Sequence, residues 1–390
     1  MAEVKIPIGP QHPALEEPEL FLLTVDGEEI VDAEMRIGYN HRGMEKSAEF
    51  RTFMQTLYLF ERICGICSHS HTTCYIQAVE EVAGLEIPPR AKYIRTLVAE
   101  LERIHSHLLW LGIAGHEIGF DTLFMYSWRD REFVQDILEE ITGNRVNYAI
   151  NTLGGVRRDV PENKIDDYLK AMDILEERCE YYAKVAFEEG TLAARLSGVH
   201  YLSKEKAVEL CACGPLARAS GVPTDVRFEE PYLAYAEIPF NLITYDSGDI
   251  FGRTVVRVLE TIESIKICRY ILKNLPPGEI RLEKVPKKIP EGEALSRYEA
   301  PRGEDVHYVR SNGGEKPYRA KVRAPTMQNL LATMESLKGS YIADAPIAIA
   351  SMDPCFSCTD RIALVRDIRT GKESRMRLRN LSKYGKGGER

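Results

Sequence analysis

The chain of 390 residues contains no run of about 18 or more apolar residues, the length that a helix needs to cross a bilayer. Its acidic, proline-containing beginning lacks the basic and apolar pattern of a secretory signal. Basic residues are also outnumbered, since 51 Lys and Arg face 59 Asp and Glu for a net charge of −8. We therefore expect a cytoplasmic protein without membrane-spanning segments, and the charge argues against nucleic acid as a partner.

The cysteine content argues against a disulfide framework. Nine cysteines, an odd number in a large chain, indicate reduced thiols. The sequence also lacks a flavin or nicotinamide fingerprint, and it offers no spare group of cysteines for an iron–sulfur cluster. Five cysteines lie outside any useful spacing and receive no role: Cys74, Cys179, Cys211, Cys213 and Cys268.

The other four cysteines form two Cys-x-x-Cys motifs. Cys64 and Cys67 lie in the stretch ERICGICSHSH near the front, and Cys355 and Cys358 lie in DPCFSCTDR near the back. If the fold brings the motifs together, they supply four thiolates. This soft donor set suits nickel, zinc or iron–sulfur rather than magnesium or calcium.

Three interpretations of the four thiols compete. A structural zinc site usually takes its cysteine pairs from one local segment, whereas Cys67 and Cys355 are 288 positions apart. A thioredoxin-like redox pair needs only one Cys-x-x-Cys near a βαβ pattern, which we do not find around either motif. The plainest alternative is that the thiols are small buried hydrophobic groups.

The hydrophobic content of 44% is enough for one large domain or two intimate ones, and the pattern predicts an α+β, mainly helical fold. Asp26-Gly27 predicts a β-hairpin turn between two short strands. Residues 297–325 return to strand-like patterning around Gly313-Gly314. Apolar periodicity predicts helices over residues 47–62, 90–111, 129–141, 162–188, 204–212, 247–274 and 326–337.

The two cysteine motifs and their flanks resemble the signatures of the large subunit of nickel–iron hydrogenases. The matching residues include His71, four positions after Cys67, and Asp353-Pro354 before Cys355. Arg361 rather than His after the last cysteine resembles the membrane-bound, energy-converting (group 4, Ech-type) branch. The resemblance covers most of the chain and implies the hydrogenase large-subunit fold, with a helical bundle core and peripheral β-hairpins.

The resemblance also implies the cofactor. Cys64, Cys67, Cys355 and Cys358 would all bind nickel, and Cys67 and Cys358 would bridge to an iron that carries carbon monoxide and cyanide ligands. His71 would donate a hydrogen bond to a thiolate sulfur and lower its basicity.

Proton transfer is expected to use Cys355 as the base and a glutamate as the relay. Pro10, Pro13 and Pro18 hold a loop extended, and such a loop can aim a carboxylate. Glu17 is the better match to the family's relay, and its neighbour Glu16 stays open. Taken alone, Glu17 would be read as a solvated turn residue.

Three further residues are implied by resemblance. Arg302 would lie over the metals, hold cyanide ligands or activate hydrogen, and with Asp353 contact the cofactor. Taken alone, Arg302 would be read as a surface salt bridge. Glu45 would help hold a structural magnesium or iron ion, but the usual C-terminal His ligand of that ion is replaced here by Arg361, which cannot coordinate.

The resemblance implies partners as well. They are an iron–sulfur small subunit, membrane subunits that hold the pair on the cytoplasmic face of the cell membrane, and ferredoxin as electron donor. We expect residues 1–361 to form a single domain and residues 362–390 to form a basic tail, with nine Lys and Arg against three acids, that a maturation endopeptidase removes.

Two rival functions remain open. One is a quinone-linked or sulfur-reducing redox subunit of the same fold, related to respiratory complex I. The other is a structural zinc scaffold.

Overall fold

A computed structural model describes residues 3–13, 15–361 and 363–376. Within these residues the fold is α+β and mainly helical, as predicted. Two short 3₁₀ helices lie at Glu162–Lys164 and Ile342–Asp344. The strands are β1 (Val4–Ile8), β2 (Leu20–Asp26), β3 (Glu29–Arg36), β4 (Asn151–Thr152), β5 (Gly155–Val156), β6 (Glu291–Ala300), β7 (Gly303–Asn312), β8 (Arg319–Arg323), β9 (Ala363–Arg366) and β10 (Glu373–Met376).

The α-helices include most of those that the periodicity predicts, with shifted ends. They are α1 (Met44–Ala48), α2 (Phe53–Glu61), α3 (Ser68–Ala83), α4 (Pro89–Glu117), α5 (Asp121–Thr142), α6 (Ile165–Glu188), α7 (Gly190–Leu196), α8 (Lys204–Glu209), α9 (Gly214–Arg218), α10 (Val226–Glu229), α11 (Ile250–Lys273), α12 (Pro325–Leu337), α13 (Ala345–Ser351) and α14 (Phe356–Thr359).

The long helices α4, α5, α6 and α11 pack together as the central bundle. Helix α4 begins with Pro89 in its first turn, where a missing N–H costs nothing. Its apolar residues at helical spacing, such as Ile94, Leu97, Leu101 and Ile104, are buried in the main hydrophobic core. None of the helices in the described part of the chain is long and apolar enough to cross a membrane.

Besides the two-stranded sheets β4-β5 and β9-β10, the described residues form two three-stranded antiparallel sheets. The first has the order β1-β2-β3, and its β2–β3 hairpin turns at Asp26 and Gly27, as predicted. The second has the order β6-β7-β8, and Pro301 and Arg302 form the tight turn between β6 and β7. Because β7 alternates buried and half-buried residues, its odd-numbered residues face inward, toward α3.

The helix predicted over residues 47–62 is wrong at its start. Two helices occupy this region, since α2 begins only at Phe53. The Thr52 side chain accepts from the Gln55 N–H while the Gln55 side chain accepts from the Thr52 N–H, a capping box that fixes the beginning of α2. This break positions α2 so that it ends just before Cys64.

Candidate metal centre

The first cysteine pair lies on the turn between α2 and α3. Cys67 is the residue that precedes the first turn of α3, and Cys64 lies three residues earlier. The Ile66 N–H lies 3.2 Å from Cys64 Sγ and donates to it. A backbone donor aimed at sulfur favours the thiolate form.

A buried carboxylate of α4 fixes the beginning of α3. Glu102 accepts from the N–H groups of His69 (2.6 Å) and Ser70 (2.9 Å) and from the Ser70 hydroxyl (2.5 Å). These are N–H groups that a helix start leaves without partners. Glu102 therefore holds the turn that carries Cys67, although nothing in the sequence pattern marked it.

The second cysteine pair lies at the beginning of α14, where Cys355 precedes the first turn and Cys358 lies inside the helix. Asp353 has a positive φ of 59°, which turns the chain sharply before Cys355. The Cys355 N–H donates to Thr326 Oγ1 of α12 at 3.0 Å, and the Thr359 hydroxyl donates to the Cys355 carbonyl at 2.9 Å. The loop is thus tied both to its own helix and to α12.

The four sulfur atoms of the two motifs converge. Cys355 Sγ lies 3.4 Å from Cys64 Sγ and 2.9 Å from Cys358 Sγ, and Cys67 Sγ lies 3.6 Å from Cys358 Sγ. All four are buried and lie within 4.8 Å of one another. Thiolates at about 2.3 Å from one shared ion would lie about 3 to 4.6 Å apart, so the cluster fits a single four-sulfur metal site.

The four buried thiols differ strongly in acidity. Hydrogen bonds from Cys355, Cys358 and Cys67 hold the pKa of Cys64 well below its usual range. Burial raises the pKa of Cys358 well above the usual range. The pocket therefore favours a thiolate at Cys64 and a protonated thiol at Cys358. A bound metal would displace the protons that remain on the thiols.

Arg302 lies beside the thiols, at the tip of the β6–β7 turn. It is buried, and it donates from Nε to the Asp353 carbonyl (2.8 Å) and from a guanidinium nitrogen to Asp353 Oδ1 (2.5 Å). Another guanidinium nitrogen lies 3.3 Å from Ser106 Oγ. Burial alone would lower the pKa of Arg302, but Asp353 and the cysteines raise it well above its usual range, so the cation is permanent.

His71 lies one turn into α3 and contacts the second motif. Its Nε2 is 3.2 Å from Cys358 Sγ, and its Nδ1 is 3.0 Å from Asp305 Oδ2. Burial would lower the pKa of His71, but the Asp305 carboxylate raises it. The contact with Asp305 thus favours a protonated His71 ring, whose Nε2–H donates to the Cys358 sulfur.

The two glutamates of the proline-bounded loop lie at the same centre. Glu17 accepts from the N–H of Ser357 (2.8 Å) and from its hydroxyl, and Ser357 lies between the two cysteines of the second motif. Glu16 is exposed in the isolated chain, yet desolvation and the Asp353 carboxylate raise its pKa to about 7.

Glu45 lies apart from the thiols. Its carboxylate accepts from the Val322 N–H at 3.1 Å and pairs with Arg319 at 3.5 Å. Arg361 donates to the Val322 carbonyl at 2.9 Å, on the other side of the same residue.

Sequence reasoning missed the contacts of two residues beside these motifs. Arg42 donates to the carbonyls of Arg62 (3.0 Å), Ile63 (2.5 Å) and Ser357 (3.2 Å), and so links both cysteine loops. Asp360 accepts from the backbone N–H of Gly38 (2.9 Å) and Asn40 (2.5 Å). The polar residues around position 42 could have drawn attention in the sequence, but the contacts that Arg42 makes depend on the folded chain.

Comparison with known protein families gives two matches. Residues 42–112 match the nickel-dependent hydrogenase family. Residues 117–289 and 283–361 match the family of the 49 kDa subunit of respiratory-chain NADH dehydrogenase.

Full-length relatives point the same way. The chain is 45% identical to the membrane-bound hydrogenase subunit alpha of Pyrococcus furiosus, over 93% of this chain and 89% of that protein. It is 38% identical to the carbon monoxide-induced hydrogenase of Rhodospirillum rubrum, over 93% of this chain and 100% of that protein. A chain in the structure of the membrane-bound sulfane sulfur reductase, an archaeal respiratory membrane complex, superimposes with a TM-score of 0.86 at 34% identity, over 92% of this chain and 98% of that one.

Proposed function

Because the chain belongs to the group 4, membrane-bound, energy-converting family of nickel–iron hydrogenase large subunits, we propose that it catalyses the reversible reduction of protons to hydrogen. The observation that carries the proposal is the convergence of Cys64, Cys67, Cys355 and Cys358 on one buried point. Four thiolates at these distances suit a soft metal, and an adjacent buried arginine suits anionic ligands.

In this proposal the four cysteines would hold nickel, and Cys67 and Cys358 would also hold an iron that carries carbon monoxide and cyanide ligands. When bound, this group supplies the two-electron chemistry that joins protons and electrons into hydrogen. Arg302 would present its charge to the iron ligands, because Asp353 fixes two nitrogens of the guanidinium. His71 donates to the Cys358 sulfur.

The proton route starts at the loop that bears Glu17. Glu17 binds Ser357, which is two residues from Cys355, so the carboxyl group and the thiolate of Cys355 share one short loop. Glu17 hands protons to the Cys355 sulfur in the direction of hydrogen evolution and takes them back in the other direction. Glu16, whose pKa the Asp353 carboxylate helps to raise, is the alternative relay.

Glu45 would supply a carboxylate to a structural magnesium or iron ion. The Arg361 cation reaches the Val322 carbonyl next to the Glu45 carboxylate, and Arg319 pairs with that carboxylate directly. Both cations supply charge that a divalent ion would otherwise supply.

Electrons reach the centre from other subunits, and we propose an iron–sulfur small subunit, ferredoxin as donor and membrane subunits that attach the complex to the cytoplasmic face of the membrane. We also propose that residues 1–361 are the mature domain and that an endopeptidase cuts after Arg361. Of the tail, Ile362 and residues 377–390 lie outside the described residues. An intact mass of active enzyme that includes all 390 residues would exclude cleavage.

A sulfur-reducing role is the second candidate. It is favoured by the high structural similarity to a chain from a complex whose title describes a sulfane sulfur reductase. Assays of the purified complex with reduced ferredoxin, measuring hydrogen in one vessel and sulfide from polysulfide in another, separate the two activities.

Infrared spectroscopy of the purified complex tests the proposed function. We expect stretching bands of metal-bound carbonyl and cyanide, together with nickel and iron in metal analysis. Zinc without nickel, and no such bands, would indicate a structural site.

Replacement of the relay glutamate tests the proton route. Glu17→Gln keeps the shape of the side chain but cannot carry a proton, so we expect hydrogen evolution to fall by roughly 10²- to 10⁴-fold at unchanged metal content. Glu209→Gln, on the exposed surface of α8, serves as the matched control. A loss in Glu16→Gln and not in Glu17→Gln would assign the relay to Glu16.

A further inference from the structure

Strand β7 presents two polar residues to the metal centre that the proposed function does not use. Asp305 and His307 lie on the inward face of the strand and are fully buried. Helix α3 packs on this face and brings His71 to the same point. Phe60 and Tyr75 hold the His307 ring from the side, with ring centroids 5.4 Å and 6.4 Å away.

Three atoms of this cluster form a nearly equilateral triangle. His71 Nδ1 lies 3.0 Å from Asp305 Oδ2 and 3.1 Å from His307 Nε2. His307 Nε2 lies 3.2 Å from Asp305 Oδ2. The opposite edge of the His71 ring, at Nε2, contacts Cys358 Sγ at 3.2 Å.

The charges of the cluster assign the donors. Within the described residues, no donor other than the two rings reaches the Asp305 oxygens, and neither ring contact has the geometry of a straight hydrogen bond. A buried carboxylate needs compensation, and the nitrogens that face Asp305 are His71 Nδ1 and His307 Nε2, which also lie within hydrogen-bond distance of each other, so at least one of them is an N–H group directed at the carboxylate. With His71 as that donor, one N–H of its ring faces Asp305 and the other faces the Cys358 sulfur.

From this geometry we propose that Asp305, supported by His307, is a positioning residue that keeps His71 donating to the Cys358 thiolate and thereby lowers the electron density at that sulfur. The proposal rests on the proposed function, because the thiolate is taken as a ligand of the nickel–iron group. Outer partners of this kind orient a donor and tune the metal without touching it.

Asp305→Asn in the intact complex tests the proposal. Loss of the carboxylate weakens the His71 donor, so Cys358 becomes more electron-rich and the carbonyl and cyanide stretches should move to lower frequency. Hydrogen evolution should fall by about 10- to 100-fold at unchanged nickel content. Asp305→Glu restores the charge and should move the bands back toward the wild-type positions.

Glu304→Gln is the matched control. Glu304 is the adjacent residue on β7, faces the other way and pairs with Arg297 and Arg323, so its loss should leave the bands in place. Thermal melting of each variant establishes that it is folded.

Three results would overturn the inference. If the bands of folded Asp305→Asn do not shift, Asp305 does not position His71, and the proposed function is unaffected. An additional stoichiometric ion in the wild type, lost in Asp305→Asn, would mean that His71, Asp305 and His307 bind a metal, as their spacing would permit. A wild-type complex without carbonyl and cyanide bands would exclude the proposed function, and this inference with it.

Discussion

At the scale of single residues, the position of Arg302 depends on two glycines that press against each other. Gly303 has φ of +125° and Gly214 has φ of +66°, conformations that other residues rarely adopt. A Cβ on Gly303 would lie 2.8 Å from Cys213 Sγ, and a Cβ on Gly214 would lie 2.3 Å from the Arg302 carbonyl oxygen. Close backbone contact therefore fixes the turn that carries the arginine.

We expect Gly303→Ala to destabilise the protein and to displace Arg302. Gly313→Ala is the matched control, because Gly313, in the turn after β7, also has a positive φ but a Cβ there meets nothing within 4 Å. Backbone strain of about 1 to 3 kcal/mol is common to both variants. The clash at Gly303 should add about 1 to 3 kcal/mol, which urea unfolding of the two variants measures. Equal losses would show that the contact with α9 is unimportant.

His200 is a residue whose charge state should affect stability. It is buried, its Nδ1 lies 3.1 Å from the Ser336 carbonyl, and burial lowers its pKa to about 3. In the unfolded chain its pKa is about 6.5, so acid protonates the unfolded state first and draws the protein toward it. The cost is absent above pH 6.5 and grows as the pH falls toward the folded pKa.

The substitution His200→Asn should remove this cost. His200 has φ of 54°, which asparagine tolerates well. Between about pH 6 and pH 4 we expect the free energy of unfolding of the variant to gain about 1 kcal/mol per pH unit relative to the wild type. Urea titrations of both proteins at several pH values check this. Parallel pH profiles would mean that His200 keeps its unfolded pKa.

At the scale of elements, α3 depends on Glu102 of α4. Glu102→Gln replaces one acceptor oxygen with an N–H₂ group that would face the N–H groups of His69 and Ser70. We expect a loss of about 1.5 to 3 kcal/mol in the free energy of unfolding and a lower nickel content, because Cys67 is next to the disturbed turn. Glu86→Gln, an exposed change beside Lys92, should alter neither quantity. If Glu102→Gln is destabilised but keeps its full nickel content, Glu102 supports the stability of the fold and not metal binding.

The elements differ in how far sequence could predict them. The long helices α4, α6 and α11 follow from apolar periodicity, and the β2–β3 hairpin follows from Asp26-Gly27. Helix α3 could not be predicted in this way, because its first turns are polar. It is buried by contacts with Glu102 and with the β6–β7 sheet and not through an apolar stripe of its own. Local patterns carry no information about such partners.

The candidate metal centre shows the same division. The four cysteines and His71 could be found from motif spacing, and the sulfur atoms do meet. Motif spacing could not identify the roles of Arg42, Glu102 and Asp305, because each of these residues contacts a loop or helix that only folding brings near it.

At the scale of the whole molecule, a bound metal would join segments from opposite ends of the chain. Cys64 and Cys67 lie just before α3, Cys355 precedes α14 and Cys358 lies within it, and Arg42 donates to backbone carbonyls of both motifs. An ion that binds only the folded site stabilises it by mass action, by about 4 kcal/mol at a thousandfold excess over its Kd. Nickel should therefore raise the stability of the entire fold.

We expect wild-type protein from nickel-depleted cells to melt at a lower temperature than the loaded protein and to be cleaved by protease near residues 353–361. Cys358→Ser removes one of the four ligands, so its melting temperature should be the same with and without nickel in the medium. Cys268→Ala changes a buried cysteine of α11 that is remote from the cluster, and it should keep the full difference between loaded and depleted protein. A difference that persists in Cys358→Ser would place the stabilising ion elsewhere in the molecule, because three remaining thiolates leave a four-sulfur site incomplete.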